Sequence, residues 1–363
     1  MENITIQYPQ VHLGTEKTAI SFFESIKDCL KATADTTKKI LYVTDKNIFA
    51  IPEVKAFLDN LDSENHFYYI LDSGESFKTI DSVLAILKTA LDKDFQRNSM
   101  FIGIGGGVIT DMTALASSLF KRGAQLALVP TTILAMGDAA LGGKTGCDFY
   151  AYKNMIGTFY PAKALYVSTE FIASLPENEF KSGMAEVIKT ALLYDKELTN
   201  LLVTEYASIK NRNTTLLTTI IRKCMQAKGA IVEQDLTESH LRMQLNLGHT
   251  FGHALETKCG LGAITHGEGV DWGMARAVDL SFAQGFCSLE FKTLVYNLLE
   301  QYDYCTQKRH PKLPKEVTTN DLLMAMKKDK KNASSKIRFV LQKNIADTII
   351  TEIEDSAVLE ILA

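Results

Sequence analysis

None of the six cysteines (Cys29, Cys147, Cys224, Cys259, Cys287, Cys305) belongs to a CxxC pair. Scattered thiols of this kind read as reduced rather than as a disulfide framework. The opening residues Met1-Glu2-Asn3-Ile4 carry neither a basic nor an apolar leader, so a cytoplasmic protein is expected. Long hydrophobic runs are missing too. The most apolar stretch, residues 126–143, is interrupted by Pro130 and Asp138, which excludes a membrane span there. Neither charge dominates: 39 Lys and Arg stand against 43 Asp and Glu, a formal net charge of −4. Bulk attraction to nucleic acid or an acidic membrane is therefore not the main activity. Repeats and low-complexity tracts are absent as well. What remains is 363 residues, 46% hydrophobic and 23% charged, enough for two globular domains.

The first half alternates β-branched runs with helical patterns. Residues 39–44, 66–71, 100–104 and 125–129 read as strands, and residues 80–91 as an amphipathic helix between two of them. That alternation predicts a Rossmann-like parallel sheet of the dinucleotide-binding type. After Leu175-Pro176 apolar residues recur at three and four, and β-branched runs become rare, which predicts a mainly α-helical second half. The expected division is an α/β domain over 1–174 and a helical domain over 175–363, with one late strand near 336–341. The run Lys327-Lys328-Asp329-Lys330-Lys331 reads as a solvated face.

Four clusters could carry chemistry. Gly103-Ile104-Gly105-Gly106-Gly107 follows the third strand, where backbone N–H groups can approach a pyrophosphate at a helix start. Gly142-Gly143-Lys144-Thr145-Gly146 looks like a phosphate loop, but Asp138 occupies the position of its first glycine. The spacing thus argues against Walker-type binding, although Lys144 can still meet an anion. Glu186 and Lys189 share a helix face; a carboxylate joined by two histidines from elsewhere makes an open three-ligand metal site. Finally, Arg242, Asn246, His249 and His253 fall at spacings of four, three and four, with His266 close behind. His249 and His253 would project from one face of a helix, and both are candidate metal ligands on spacing alone. If Asn246 is helical, all four polar groups line one face amid Leu245, Leu247 and Phe251, which marks a site rather than a surface.

Taken in order, these motifs resemble those of the 3-dehydroquinate synthase family. The series is Gly105-Gly106-Gly107-Val108 with Asp111, Arg122-Gly123, Pro130-Thr131-Thr132, Asp138 with Gly142-Gly143-Lys144-Thr145-Gly146, and Lys153-Asn154-Met155-Ile156-Gly157. It continues with Gly183-Met184-Ala185-Glu186-Val187-Ile188-Lys189 and Leu245-Asn246-Leu247-Gly248-His249-Thr250-Phe251-Gly252-His253-Ala254. The resemblance implies a homodimeric shikimate-pathway enzyme, feeding aromatic amino acid biosynthesis, that uses NAD and a divalent metal, zinc first and cobalt second. Its reaction turns 3-deoxy-D-arabino-heptulosonate 7-phosphate into 3-dehydroquinate and phosphate. Oxidation, phosphate elimination, reduction, ring opening and aldol closure follow in turn, with no net redox change.

The same resemblance implies residue roles. Glu186, His249 and His266 should hold the metal, leaving His253 beside the ligands or facing substrate. Asp138 should accept a hydrogen bond from substrate. Lys228 and Arg242, with Asn246, should take the carboxylate, a task suited to the arginine fork. Lys144, Lys153, Asn154, Lys189 and Arg122 should surround the phosphate end or the reacting ring, Arg122 across a dimer interface. One of Lys330 and Lys331 resembles a late phosphate lysine. For NAD the pattern points to Asp45, Asn47, Glu75, Lys78, Gly106, Gly107, Asp111, Thr131 and Thr132. Departures from the pattern are Ala139-Ala140 after Asp138, Ala114, and Leu236 with His240 before Arg242. The competing expectations are another sugar-phosphate cyclase, a metal-dependent polyol dehydrogenase, or a catalytically inactive ligand-binding paralogue. The concentration of Lys and Arg in motif positions favours a dianionic phosphate with a carboxylate.

Overall fold

The structure is a computed structural model and describes residues 3–8, 14–62, 64–150, 152–238, 241–260, 262–329 and 336–363. Its β-branched and aromatic runs become strands β1 (Ile4–Gln7), β2 (Lys17–Phe22), β3 (Ile40–Asp45), β4 (His66–Leu71), β5 (Met100–Gly105) and β6 (Gln125–Pro130). A small hairpin of β7 (Cys147–Phe149) and β8 (Tyr152–Ile156) follows, then β9 (Ala164–Val167). Seven strands form one sheet in the order β1-β2-β9-β6-β5-β3-β4. Only the edge pair β1 and β2 is antiparallel. The four strands expected from sequence are the contiguous run β6-β5-β3-β4, which ends at the sheet's β4 edge, with ends moved by at most one residue.

β5 is buried at every position and β3 at all but its last. Strands covered on both faces need continuous apolar sequence, which these have. On one face the helix Ile80–Asp92 inserts Val83, Ile86 and Ala90 into a core with Phe95, Phe101 and Phe120. Its start is fixed by Thr79, whose hydroxyl accepts from Ser82 N at 3.2 Å. Phe101 lies between the other two rings, 6.0 Å and 5.4 Å between centroids. Each such buried ring contributes about 1.5–3 kcal/mol of hydrophobic stabilisation. The chain leaves β3 outward to β4 and then crosses back to place β5 on the other flank of β3. That reversal opens a crevice beyond the carboxyl ends of β3 and β5, where open α/β sheets take ligands.

The chain divides into two compact units, Met1–Leu175 with Thr214–Ser239, and Pro176–Asn213 with His240–Ala363. This differs from the division expected at 174/175. The helix Thr214–Val232 continues the helical sequence of the second half but packs in the first unit, with Ile221 and Cys224 against Gly137. Helical periodicity reveals that a face is buried, not which core buries it.

The second unit is mainly helical, as expected. Its central helix, His266–Ala283, starts with a capping box in which Thr265 and Glu268 bond each other's backbone N–H. Residues Val270 to Leu280 of that helix are buried, including Arg276, whose guanidinium donates to the Thr306 and Gln307 carbonyls and pairs with Asp279. The late strand is one arm of a hairpin, β10 (Ile337–Asn344) with β11 (Asp347–Ile353). Lys328 of the basic run is exposed and Lys327 pairs with Asp355. Lys330 and Lys331 lie outside the described residues, as does His240. No described helix is long and apolar enough to cross a membrane.

Candidate active site

In the first unit the crevice between β3 and β5 carries the expected dinucleotide residues. Asp45 ends β3 and caps the next helix, its Oδ1 accepting from Asn47 N at 2.8 Å, Ile48 N at 3.1 Å and Ser73 Oγ at 3.0 Å. Across from it, Gly105 ends β5 and Gly106 caps the helix Gly107–Leu119. A side chain on Gly106 would stand 3.0 Å from Thr132 Cγ2, and one on Gly107 3.7 Å from the Ala139 methyl. The glycine turn, Thr132 and the Ala139 position therefore face each other around one small space. Thr131 is buried beside it, Asn47 and Glu75 are exposed at its rim, and Thr132 Oγ1 accepts from Ala135 N at 3.1 Å.

Lys78 and Asp111, two separate expectations from sequence, form a partly buried ion pair of 2.7 Å. The same ammonium donates to Asn154 Oδ1 at 2.6 Å. Burial of Lys78 disfavours its charge, but Asp111 and Glu75 outweigh that and hold the ammonium above its ordinary value. Asn154 thus sits with Lys78, a residue expected at the cofactor, and not only at a phosphate end. It adopts a left-handed backbone (φ +50) that asparagine tolerates. Lys153 beside it is exposed, as is Arg122, which also has positive φ.

Asp138 lies on a π-helical turn, Ala135–Ala139, and its Oδ1 is 2.8 Å from the buried ammonium of Lys228. Lys144 pairs with Glu238. Glu238 was not singled out from sequence. It stands four residues before Arg242, and only a partner for the Lys144 loop would have marked it.

In the second unit Glu186, His249 and His266 converge, with one ligand atom from each within 4.8 Å of the others. Glu186 comes from the helix Glu177–Tyr194, where its carboxylate is 2% exposed. Its Oε1 is 3.3 Å from His266 Nε2 and 3.6 Å from His249 Nε2. A tetrahedron of about 2.0–2.1 Å metal bonds has edges of roughly 3.3 Å, so the donor set fits a divalent ion. Lys189 Nζ holds the other carboxylate oxygen at 2.5 Å, and both side chains are 2% exposed. The Glu186–Lys189 pair on this helix face is thus buried. His249 Nδ1 donates to the Leu247 carbonyl at 3.1 Å, which leaves Nε2 with the lone pair directed at Glu186. Burial, then the Lys189 charge, hold the His249 imidazole down to about 3. For His266 burial also opposes charge, but Glu186 and Glu256 outweigh it and hold the ring up to about 10.

Close backbone packing brings these side chains together. A side chain on Gly252 would stand 2.6 Å from the Gly269 carbonyl oxygen, so the two histidine-bearing helices touch. Gly267 presses likewise on Ser182, one turn before Glu186, and its N–H donates to Ser182 Oγ at 3.0 Å. The four-residue polar stripe is not one helix face. Arg242 and Asn246 belong to a short 3₁₀ segment, Leu241–Asn246, and Gly248 (φ +79) breaks the direction before the helix His249–Cys259. A tighter turn of three residues rotates the first two groups away from the register of four. His249 and His253 do share a face, their rings 5.3 Å apart. Arg242 is buried and Asn246 half-buried.

This fold, with a glycine turn at the sheet's reversal and a carboxylate–imidazole cluster in a helical unit, is that of the sugar-phosphate cyclases. A 2-epi-5-epi-valiolone synthase from Streptomyces hygroscopicus, solved with NAD+ and Zn2+, superposes with a TM-score of 0.84 at 24% identity over 98% of each chain. A 2-deoxy-scyllo-inosose synthase solved with carbaglucose-6-phosphate, NAD+ and Co2+ gives 0.82 at 21% identity over 99% of each. Sequence is more specific. Residues 68–182 match the 3-dehydroquinate synthase N-terminal model and residues 183–332 the C-terminal one. A 3-dehydroquinate synthase of Prochlorococcus marinus (strain MIT 9215) is 37% identical over 345 residues, 92% of each chain. That of Bacillus cereus (strain B4264) is 34% identical over 363 residues, covering 99% of this chain and 97% of its own. The chain belongs to the 3-dehydroquinate synthase family.

Proposed function

We propose that the family reaction, conversion of 3-deoxy-D-arabino-heptulosonate 7-phosphate to 3-dehydroquinate and phosphate, is carried in this chain by the residues described above. The observation that carries the reading is the buried Glu186 carboxylate with two imidazole nitrogens at tetrahedral-edge distances. Glu186, His249 and His266 would hold a divalent metal, zinc or cobalt, and Asp45 with the glycine turn at Gly106-Gly107 would hold NAD. When bound, NAD supplies a reversible oxidation of a ring carbon and the metal polarises substrate oxygen.

The chain's own groups bind and orient. Gly106 and Gly107 expose backbone N–H groups at a helix start, suited to a pyrophosphate. Asp45 has its Oδ1 occupied by capping, so Oδ2 is the oxygen presented to a ribose hydroxyl, with Asn47, Glu75, Thr131 and Thr132 completing the rim. Lys78 and Asp111 brace that end. Asp138, held by Lys228, accepts a hydrogen bond from the hydroxyl to be oxidised, and Lys228 remains available to an anion on exchange of partner. In the second unit Arg242 with Asn246 takes the carboxylate. Lys189 pairs with the second oxygen of Glu186, and His253 stands beside the ligands where it can hold or move a proton. Lys144, Lys153 and Asn154 are assigned to the phosphate end, and so is Arg122, which in a homodimer serves the neighbouring copy. The unpaired state of all six cysteines fits a cytoplasmic enzyme.

The test is phosphate release from zinc-loaded protein given the heptulosonate phosphate and substoichiometric NAD, with 3-dehydroquinate identified as product. Many turnovers per NAD are expected. NADH accumulating on a simple polyol, without phosphate release, would instead mark a dehydrogenase.

A further inference from the structure

His266 is held at both ring nitrogens. Its Nε2 faces Glu186 Oε1 at 3.3 Å, and its Nδ1 faces Glu256 Oε1 at 3.4 Å. Glu256 has no part in the roles assigned above. It stands one turn beyond His253 on the helix His249–Cys259, its side chain 11% exposed. Its stem lies over Gly269, where an added side chain would come within 3.2 Å of Glu256 Cγ.

We propose that Glu256 is a positioning residue of the metal centre, accepting the Nδ1 proton of His266 and so directing Nε2 at the ion. A neutral imidazole carries one N–H, and whichever nitrogen keeps it cannot ligate. His249 settles the choice through the Leu247 carbonyl. His266 is the first residue of its helix and its side chain is 30% exposed, so packing alone does not fix the ring. Glu256 supplies the restraint that a carbonyl supplies for His249, in the carboxylate–histidine–metal arrangement. His253, Glu256 and His266 could also be read as a second ligand set, since their donor atoms lie within 4.8 Å of one another. That set would require His266 to surrender both ring protons to serve two ions, so one ion per chain is expected.

The inference rests on the metal reading under Proposed function, and the experiment separates the two. Full-length protein is stripped with a chelator and titrated with zinc in competition with a chelating dye, for the parent, Glu256→Ala, Glu256→Gln and His249→Ala. Expected are one zinc per parent chain, about 10–100-fold weaker binding for Glu256→Ala, and recovery of most of that loss in Glu256→Gln, whose amide oxygen still accepts from Nδ1. Melting of the zinc-free Glu256→Gln form should stay closer to the parent than that of Glu256→Ala, because the amide keeps the packing and the acceptor and loses only the charge facing His266. Parent-like affinity in Glu256→Ala overturns the proposal. So does Glu256→Gln binding as weakly as Glu256→Ala, or two zinc ions per parent chain of which Glu256→Ala removes one. Zinc binding undiminished in His249→Ala would instead sink the ligand assignment itself.

Discussion

Lys228 grips Asp138 at two points, its Nζ lying 2.8 Å from carboxylate Oδ1 and donating to the Asp138 backbone carbonyl at 2.6 Å. One ammonium therefore neutralises the side chain and also ties down the π-helical turn that presents it. Replacing Lys228 by Met removes both ties at nearly equal volume. Stability should fall by roughly 1–3 kcal/mol, the cost of a partly buried carboxylate losing its donor. Turnover should fall by about two orders of magnitude or more, in the range seen when an oriented polar group near the reacting centre is lost. Urea unfolding and steady-state kinetics on the same preparation check this. Parent-like values for both would mean that Asp138 needs no such anchor.

Zinc loading should depend on pH in a definite direction. In zinc-free protein His266 is held up to about 10, against an ordinary 6.5. A raised imidazole contributes stability that is complete below about 6.5 and is lost as pH rises through about 10. The metal takes the neutral ring, so zinc affinity should rise over the same window, about tenfold per pH unit for one displaced proton. His249 is already neutral, held down to about 3, and should release none. Calorimetry at pH 8 in two buffers of different ionisation enthalpy counts the protons. A count near two would contradict the assignment of His249.

Gly267→Ala should separate the metal ligands. The new methyl would overlap Ser182 backbone atoms, which cannot swing aside as a side chain tip can. The helix carrying Glu186 must then move from the helix carrying His266. A loss of about 3 kcal/mol is expected from overpacking, together with zinc affinity reduced about 100-fold or more by the displaced ligands. Melting with and without zinc reads both, and a variant that melts early but still gains the full zinc increment would refute the geometric link.

Gly107→Ala probes the cofactor turn without the same conflict. Its methyl would meet Ala139 at 3.7 Å, an ordinary contact, and alanine at a helix start is no worse than glycine. Melting should therefore stay within about a degree or two of the parent, since surface-type changes rarely exceed 0.5 kcal/mol. NAD should bind about tenfold or more weakly, because the methyl occupies the path of the pyrophosphate. Fluorescence titration with NADH decides; unchanged affinity would move the pyrophosphate elsewhere.

Legibility of the fold followed burial. β3, β5 and β6 are apolar and almost wholly buried, and the edge strand β4 is an unbroken aromatic and aliphatic run, so their sequence alone marks them. β9 has four residues, two of them only half-buried, and β1 is an edge strand of four, too short for a period to show. The set of Glu186, His249 and His266 was legible only through the family resemblance, because the close approaches that join their helices, Gly252 to Gly269 and Gly267 to Ser182, are tertiary contacts that no local pattern shows. Spacing alone pointed first to His249 with His253, since it cannot reveal that Gly248 turns the chain or that His266 folds back across Gly252. Glu238 and Glu256 stayed hidden for a simpler reason. A carboxylate's partner, unlike its helix, is not written in local sequence.

The return of Thr214–Ser239 to the first unit has a consequence for how this chain can be made. Gln7 N donates to Glu233 Oε1 at 2.8 Å, and Thr169 Oγ1 bonds Thr218 Oγ1 at 2.7 Å. A nascent chain emerging from the ribosome thus holds all seven strands of the sheet well before the helix that seals it exists. That helix arrives only after Pro176–Asn213, a piece of the other unit, has already emerged. Synthesis therefore interleaves two folding problems, and a gene cut after residue 175 would yield a half-enzyme with an uncovered flank.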